Sequence, residues 1–474
     1  MKHSCLILFL IMPLLMKAQI PDYNKILSPQ ELCSDFDSLK TVMESVHPDI
    51  FYAFPKTVAE AKFDSIRSHL NKPMTVFQFN QSVKPYVTLF KDGHTSLSYS
   101  WRFWQQSDLK LFPYKVKIDK QNFEVTIKRN SAAHAPVIPV SSQITHINGM
   151  SIEHIILNMR KYICAESDNY LMSSMENEFS QLLWEAFNFA NDFFITYITP
   201  ESVSQDITVT GATTHEISKQ EEETTASQDY SWRILTDNNS CLLEFNSFNN
   251  PAKFDSLLVN MFTEIKEKNI EDLIIDLRNN GGGNSILGDE FLQYIAKEPF
   301  SMFGPTTVKI SPYLKSFIRK FRNADYYKTL SDDNIDSLLN KPDGLEYASV
   351  ELTSLRNNPL RYTGNVYALI SGITFSSASD FAWVLKHYGI ATLIGEETGG
   401  LITCYGDVLS YKLPHSGLTL GVSYKKFYGI GASDEDNHGV MPDFVIDSDK
   451  AFDYTINLIK NKSASKKKYK DEHN

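Results

Sequence analysis

Continuous apolar runs that break at a short turn and pass straight into a helical pattern constrain this chain more than any other feature. Leu273-Ile274-Ile275 leads to Gly281-Gly282-Gly283 and then to a helical pattern near Leu287–Ile295. Val366–Ile370 leads through a short turn to Ser376-Ser377-Ala378 and a helix with Phe381, Val384 and Leu385 on one face. Cys241–Phe245, followed by Phe254, Leu257, Leu258, Met261, Phe262 and Ile265 on one helical face, repeats the order. Uninterrupted apolar strands alternating with amphipathic helices bury both faces of a mostly parallel sheet. Residues 231–450 therefore read as an α/β core. Within it, residues 311–350 are charged, lack strand-like runs and read as a helical insertion; 451–474 read as a C-terminal helix with a basic tail.

Upstream the periodicity differs. Residues 20–108 carry helical spacing, with Phe36, Leu39 and Val42 at three-residue steps, and close on Leu89-Phe90-Lys91-Asp92-Gly93-His94-Thr95, where Asp-Gly signals a turn. Phe123, Val125 and Ile127 then alternate with polar residues as in a half-buried strand. Val137-Ile138-Pro139-Val140 follows, then Ile144–Met150 through an Asn148-Gly149 turn, then a helix with Ile152, Ile155, Ile156 and Met159. A strand, an Asn-Gly turn and a helix in that order resemble the second half of a PDZ domain, so residues 109–215 read as PDZ-like. The groove beside such a helix accepts an extended peptide by strand addition. Residues 216–230, polar and acidic around Glu221-Glu222-Glu223, read as a linker.

With 474 residues the chain has room for two to four domains and a sizeable core. Its composition, 42% hydrophobic and 22% charged, is that of a globular protein. A net charge of −11 leaves no broad basic face, so nucleic acid is not an expected partner, and Lys460–Lys470 reads as a solvated end. Lys2 and His3 precede an apolar run from Cys5 to Met16 that ends near Lys17-Ala18-Gln19. This is the layout of a signal peptide over residues 1–19, too short to span a bilayer, and Cys5 has too few residues before it for a lipoprotein signal. The expected mature protein is exported, periplasmic or extracellular, without stable membrane insertion. Cys33, Cys164, Cys241 and Cys404 fit no metal spacing, and their pairing stays open. Cys241, inside an apolar run, reads as a small buried hydrophobe rather than a thiol nucleophile.

Two turns carry chemistry. A serine where a buried strand enters a helix lies among unpaired N–H groups at the positive end of the helix dipole, where an oxyanion would be stabilised. Serine there is ordinarily a helix cap, so position alone does not make Ser376 or Ser377 a nucleophile. Gly281-Gly282-Gly283 allows close backbone approach and exposes N–H donors. A helix-start turn explains it equally well; a phosphate loop does not, because no Gly-Lys-Ser/Thr follows.

Four segments taken in order resemble the tricorn-type and C-terminal-processing serine peptidases: Asp276-Leu277-Arg278-Asn279-Asn280-Gly281-Gly282-Gly283, Thr374-Phe375-Ser376-Ser377-Ala378, Gly395-Glu396-Glu397-Thr398-Gly399-Gly400 and Gly439-Val440-Met441-Pro442-Asp443. With the PDZ-like stretch, the resemblance spans roughly residues 85–447. It implies an α/β fold with a crotonase/ClpP-like catalytic core, a PDZ-like domain, a helical N-terminal region and a serine nucleophile. The processing branch places a lysine base after the Gly-Glu motif; here Leu401-Ile402 follows Gly399-Gly400. The tricorn branch uses a histidine before the PDZ-like domain, the place of His94, and an acid before the last motif, the place of Asp436, with Glu435 adjacent. His438 is the rival base.

Alignment on Ser-Ala-Ser would make Ser377 the nucleophile, whereas the family's spacing to Phe381 and to Glu396 selects Ser376. The backbone N–H groups of Gly282 and Ser377 are the oxyanion donors that the resemblance implies. The expected reaction is hydrolysis of peptide bonds, internal or end-directed, in peptides or unfolded proteins, with no metal and no organic cofactor. A peptide-binding protein that has lost hydrolysis is the competing expectation. An acyl-CoA enzyme on the same core fits poorly with a signal peptide and a PDZ-like segment.

Overall fold

The computed structural model describes residues 22–218, 228–321 and 332–473, so the expected signal peptide and the centre of the acidic linker lie outside the described residues. The fold is mixed α/β. Three helices open it: α1 (Pro29–Val46), α2 (Lys56–His69) and α3 (Val76–Val87). α1 and α3 both begin with reciprocal capping boxes, Ser28 with Glu31 and Thr75 with Gln78, which satisfy N–H groups that a first helical turn leaves unpaired. A short strand, β1 (Ser96–Ser98), follows.

The middle of the chain is a six-stranded antiparallel sheet whose main path runs β2 (Tyr114–Ile118), β3 (Val125–Asn130), β4 (Gln143–Ile147), β5 (Asp192–Ile198) and β6 (Ser204–Thr210), with the two-residue strand Met150–Ser151 also paired to β4. Between β4 and β5 run α4 (Ile152–Met159), α5 (Asp168–Asn177) and α6 (Phe179–Phe187). Asn148 (φ 50°) and Gly149 (φ 78°) make the tight turn into α4, as a two-residue hairpin loop with both residues at positive φ requires. Val137-Ile138-Pro139-Val140 forms no strand; Val137 and Val140 face solvent there.

The largest core surrounds a six-stranded sheet ordered β7 (Tyr230–Leu235), β8 (Ser240–Phe245), β9 (Asp272–Asp276), β12 (Asn365–Ile370), β13 (Thr392–Gly395) and β16 (Phe444–Val445). All neighbours from β8 to β16 are parallel, and β7 is antiparallel. Alternate residues serve opposite faces. Leu243, Leu273, Ile275, Ala368 and Ile370 pack under helices α7 (Pro251–Glu267), α8 (Ile286–Ile295) and α11 (Ser377–His387). Leu242, Ile274, Tyr367 and Leu369 pack under the C-terminal helix α12 (Ala451–His473) through Ala451 and Ile459. Burial on both faces is why these strands read as unbroken apolar runs.

A second sheet has the order β11 (Gly344–Ala348), β10 (Thr306–Ile310), β15 (Thr419–Tyr428), β14 (Thr403–Lys412), and β1 pairs with β15. It shares one core with the N-terminal helices, in which Phe36 and Val42 meet Ile310, Leu409 and Val422. The helical region ending near 108 is thus distinct along the chain but not in its packing. The 311–350 stretch, read as a helical insertion, holds α9 (Pro312–Phe321), α10 (Asp332–Asn340) and also strand β11. β11 is largely exposed at a sheet edge and so carries no apolar alternation to betray it. The four cysteines of the described residues are free thiols. No helix among those residues is long and apolar enough to cross a membrane.

Candidate active site

Strand β12 ends in a turn tied to its neighbour. Thr374 Oγ1 donates to the Leu277 carbonyl (2.8 Å), Ser371 Oγ donates to the Arg278 carbonyl (2.5 Å), and Phe375 N donates to the Asn280 carbonyl (3.0 Å). The chain then passes through Ser376 at φ 56°, ψ −135°, a conformation that a side-chain-bearing residue adopts only under constraint, and α11 starts one residue later. Such strain projects Ser376 away from the helix it precedes. Its neighbour Ser377 is fully buried and donates Oγ to the Gly283 carbonyl at 2.9 Å. The two adjacent serines therefore face different partners.

Ser376 Oγ meets His94 Nε2 at 3.0 Å, across 282 residues of chain. The pairing of β1 with β15 brings the loop carrying His94 to this place. Asp92 pins the loop: Oδ1 accepts from His94 N (2.9 Å), and Oδ2 accepts from Thr95 Oγ1 (2.5 Å) and Ser423 Oγ (2.6 Å). The buried His47 Nε2 lies 3.3 Å from the same Oδ2. Burial pushes the Asp92 carboxyl up, but His47, His94 and Ser423 together hold it well below the usual carboxylate range. The His94 ring stacks on Phe375 (4.5 Å between centroids), which stacks on Tyr170 (4.2 Å). Gly93 permits that stack, because a Cβ there would lie 2.8 Å from the Phe375 ring.

Burial lowers the His94 pKa; the carboxylates of Asp92 and Asp407 and the backbone carbonyl of Tyr405 act in the opposite direction without reversing it. Asp407 is the acid that sequence reasoning missed. It sits in β14 at φ 51°, buried, with Oδ2 on Lys425 Nζ (2.5 Å). Burial raises its pKa, against the pull of Lys425, His94 and Tyr424. One signal was available, since a lone aspartate between the apolar neighbours of Tyr405-Gly406-Asp407-Val408-Leu409 is an unusual occupant of a buried strand.

Other expected residues stand elsewhere. Asp436 Oδ2 accepts from Ser433 N (2.8 Å) and Ser433 Oγ (3.1 Å), closing its own loop. Glu435 is exposed, with its N–H on Ser433 Oγ (3.3 Å), and the carboxylates that act on His94 are those of Asp92 and Asp407. His438 is exposed with Nδ1 on the Gly439 carbonyl (2.7 Å), away from Ser376. Gly282 lies against the nucleophile turn, where a Cβ would fall 2.8 Å from Ser376 Cβ and 2.9 Å from Ser377 N. Its own N–H, expected to be an oxyanion donor, instead donates to Asn280 Oδ1 at 2.9 Å.

The remaining motif residues knit the loops around this turn. Gly399 N and Gly400 N donate to the Thr374 carbonyl (2.9 and 3.2 Å), Asn280 Nδ2 donates to the Phe245 carbonyl (2.7 Å), and Glu397 Oε1 accepts from Gly439 N (2.8 Å). Leu401, buried, stands where a lysine base would be expected. Asp92, His94 and Glu166 offer atoms within 4.8 Å of one another, the spacing of a metal site. Asp92 arrives with both oxygens hydrogen-bonded, His94 with Nε2 on Ser376, and Glu166 with the backbone amides of Gly93 and Leu401 against it, so the set does not fit a metal.

Residues 239–446 match the sequence model of Peptidase family S41. The structure of mature CPAF aligns at a TM-score of 0.65 and 13% identity, covering 91% of this chain and 98% of that one. Mature CPAF complexed with lactacystin aligns at 0.63 and 13%, covering 92% and 98%. At these identities the likeness establishes a shared fold, and the family match covers the segment that carries the Ser376 turn. The match of residues 239–446 to Peptidase family S41 marks the chain as a serine-type peptidase.

Proposed function

We propose that the chain hydrolyses peptide bonds through an acyl-enzyme on Ser376, with His94 as general base. The 3.0 Å contact between Ser376 Oγ and His94 Nε2 carries this reading. His94 takes the Oγ proton as Ser376 attacks the scissile carbonyl, and returns it to the leaving amine. Asp92 and Asp407 supply the negative field that stabilises the imidazolium, in place of Asp436 or Glu435. The Ser377 N–H, at the start of α11, faces the developing oxyanion; Gly282 contributes by leaving room beside it. No step calls on a metal or an organic cofactor.

In this reading the six-stranded sheet with its helices is a crotonase/ClpP-like core. The sheet β2–β6 with α4 is a PDZ-like module that holds a peptide or unfolded segment by strand addition. The signal-like N-terminus supports export to a periplasmic or extracellular site.

The base must be neutral to act, and burial keeps His94 neutral to lower pH than a free histidine. The acid limb of kcat/KM should accordingly have its midpoint below about 6.5. A midpoint clearly above that value contradicts the assignment. Asp407→Asn should lower kcat by about 10²–10⁴ and move the limb to still lower pH, since a charge favouring imidazolium is lost. Asp436→Asn should change kcat by less than about 3-fold, because among the described residues its carboxylate serves Ser433 alone. The reverse order of effects, measured on the two purified variants, restores Asp436 as the orienting acid.

A further inference from the structure

A cavity of about 330 Å³ lies beside the Ser376–His94 pair, between the loop before α5 and the start of β14. Tyr52 and Tyr405 line it, their ring centroids 4.8 Å apart, and Glu166 lines it as well. Both Glu166 oxygens are closed to solvent; the backbone amides of Gly93 and Leu401 approach them, and no cationic side chain pairs with them among the described residues. A buried carboxyl with no cation beside it is costly, and a native structure rarely keeps one without a use. Burial and the nearby Asp92 charge raise its pKa well above the usual range, more than the backbone amides of Gly93 and Leu401 offset. The peptidase mechanism proposed above gives this group no task, although it stands within 4.8 Å of atoms of His94 and Asp92.

The surroundings select one sign of charge. Asp49, exposed, adds a second carboxylate to the lining. Lys426, the cation of the lining, is already held by Asp434 Oδ1 (2.5 Å), and its Nζ lies 5.8 Å from the Tyr405 centroid, so the tyrosine wall tolerates a cation. Aromatic faces flanking a carboxylate suit an ammonium or guanidinium, which would supply the cationic partner that Glu166 lacks among the described residues and draw it into its ionised form.

We infer that the cavity bounded by Glu166, Tyr52 and Tyr405 is a subsite for a cationic group of the peptide substrate. The inference rests on the peptidase reading of Ser376 and His94. That group is either a lysine or arginine side chain near the scissile bond or the peptide's own α-ammonium, and the two are separable by experiment.

Fluorogenic peptides are compared in matched pairs with the full-length mature protein: lysine against norleucine at each position flanking the cleaved bond, and free against acetylated N-terminus. One arm should show a charged-to-neutral kcat/KM ratio of about 10–100, the size expected of a charged hydrogen bond, and that arm identifies the source. In Glu166→Gln the ratio should fall to within about 3-fold of one. A ratio near one in every arm, or a preference that survives Glu166→Gln, overturns the subsite. Should the variant not fold, the wild-type protein still decides: n-butylammonium must slow fluorophosphonate labelling and 1-butanol must not, and equal effects of the two overturn the subsite. A protein that the probe never labels removes the peptidase reading itself, whereas normal labelling without charge preference removes the subsite alone.

Discussion

Ser376→Ala should lower kcat by about 10⁶, whereas Ser377→Ala should retain most of it. The two residues are adjacent and chemically identical, so the difference must come from geometry. Ser376 is held at φ 56° between strand and helix with Oγ on the imidazole. Ser377 is already in the first helical turn and donates to the Gly283 carbonyl. Alanine at 377 keeps the N–H assigned to the oxyanion. It removes one hydrogen bond inside a buried contact, with an expected stability loss of about 1–3 kcal/mol. Thermal unfolding measured beside kcat separates the two effects. If Ser377→Ala is the inactive variant, the nucleophile moves by one residue.

His94→Ala is the second large effect, an expected loss in kcat of about 10⁵–10⁶. The reason is again geometric. This imidazole is stacked on Phe375, kept neutral by burial, and directed at Ser376 from a loop whose backbone Asp92 fixes independently of the ring. Removing the ring leaves the bond from residue 94 N to Asp92, so the loop should stay in place while the base is lost. His438→Ala should alter kcat by less than about 3-fold, because that ring is exposed and its Nδ1 is on its own neighbour's carbonyl. Equal losses in the two variants would mean that the proton leaves Ser376 by another route.

What could be read in the chain followed from local physics. β9 and β12 are buried on both faces, so their apolar runs announced a parallel core, and the Asn148-Gly149 pair announced its turn because both residues tolerate positive φ. The place of Ser376 came from motif order. The partner of Ser376 could not be read from periodicity at all, because it depends on β1 adding to β15 more than three hundred residues away; only the resemblance pointed to His94. The acid escaped both routes. Asp436 matches a position in a pattern, but Ser433 lies three residues away and captures its carboxylate, while Asp407 reaches the site only through the pairing of β14 with β15. Gly282 was misread for the same reason. Its N–H was expected to face an oxyanion, and the carboxamide of Asn280, two residues earlier, takes it.

Hydrolysis on Ser376 depends on its single contact with His94, and one measurement addresses it directly. The wild-type protein is treated with a fluorophosphonate, digested, and the adduct located by mass spectrometry at a series of pH values. A single adduct on Ser376, forming at a rate that rises with pH through a midpoint below about 6.5, is the predicted result. An adduct on Ser377, or none on any serine, contradicts it.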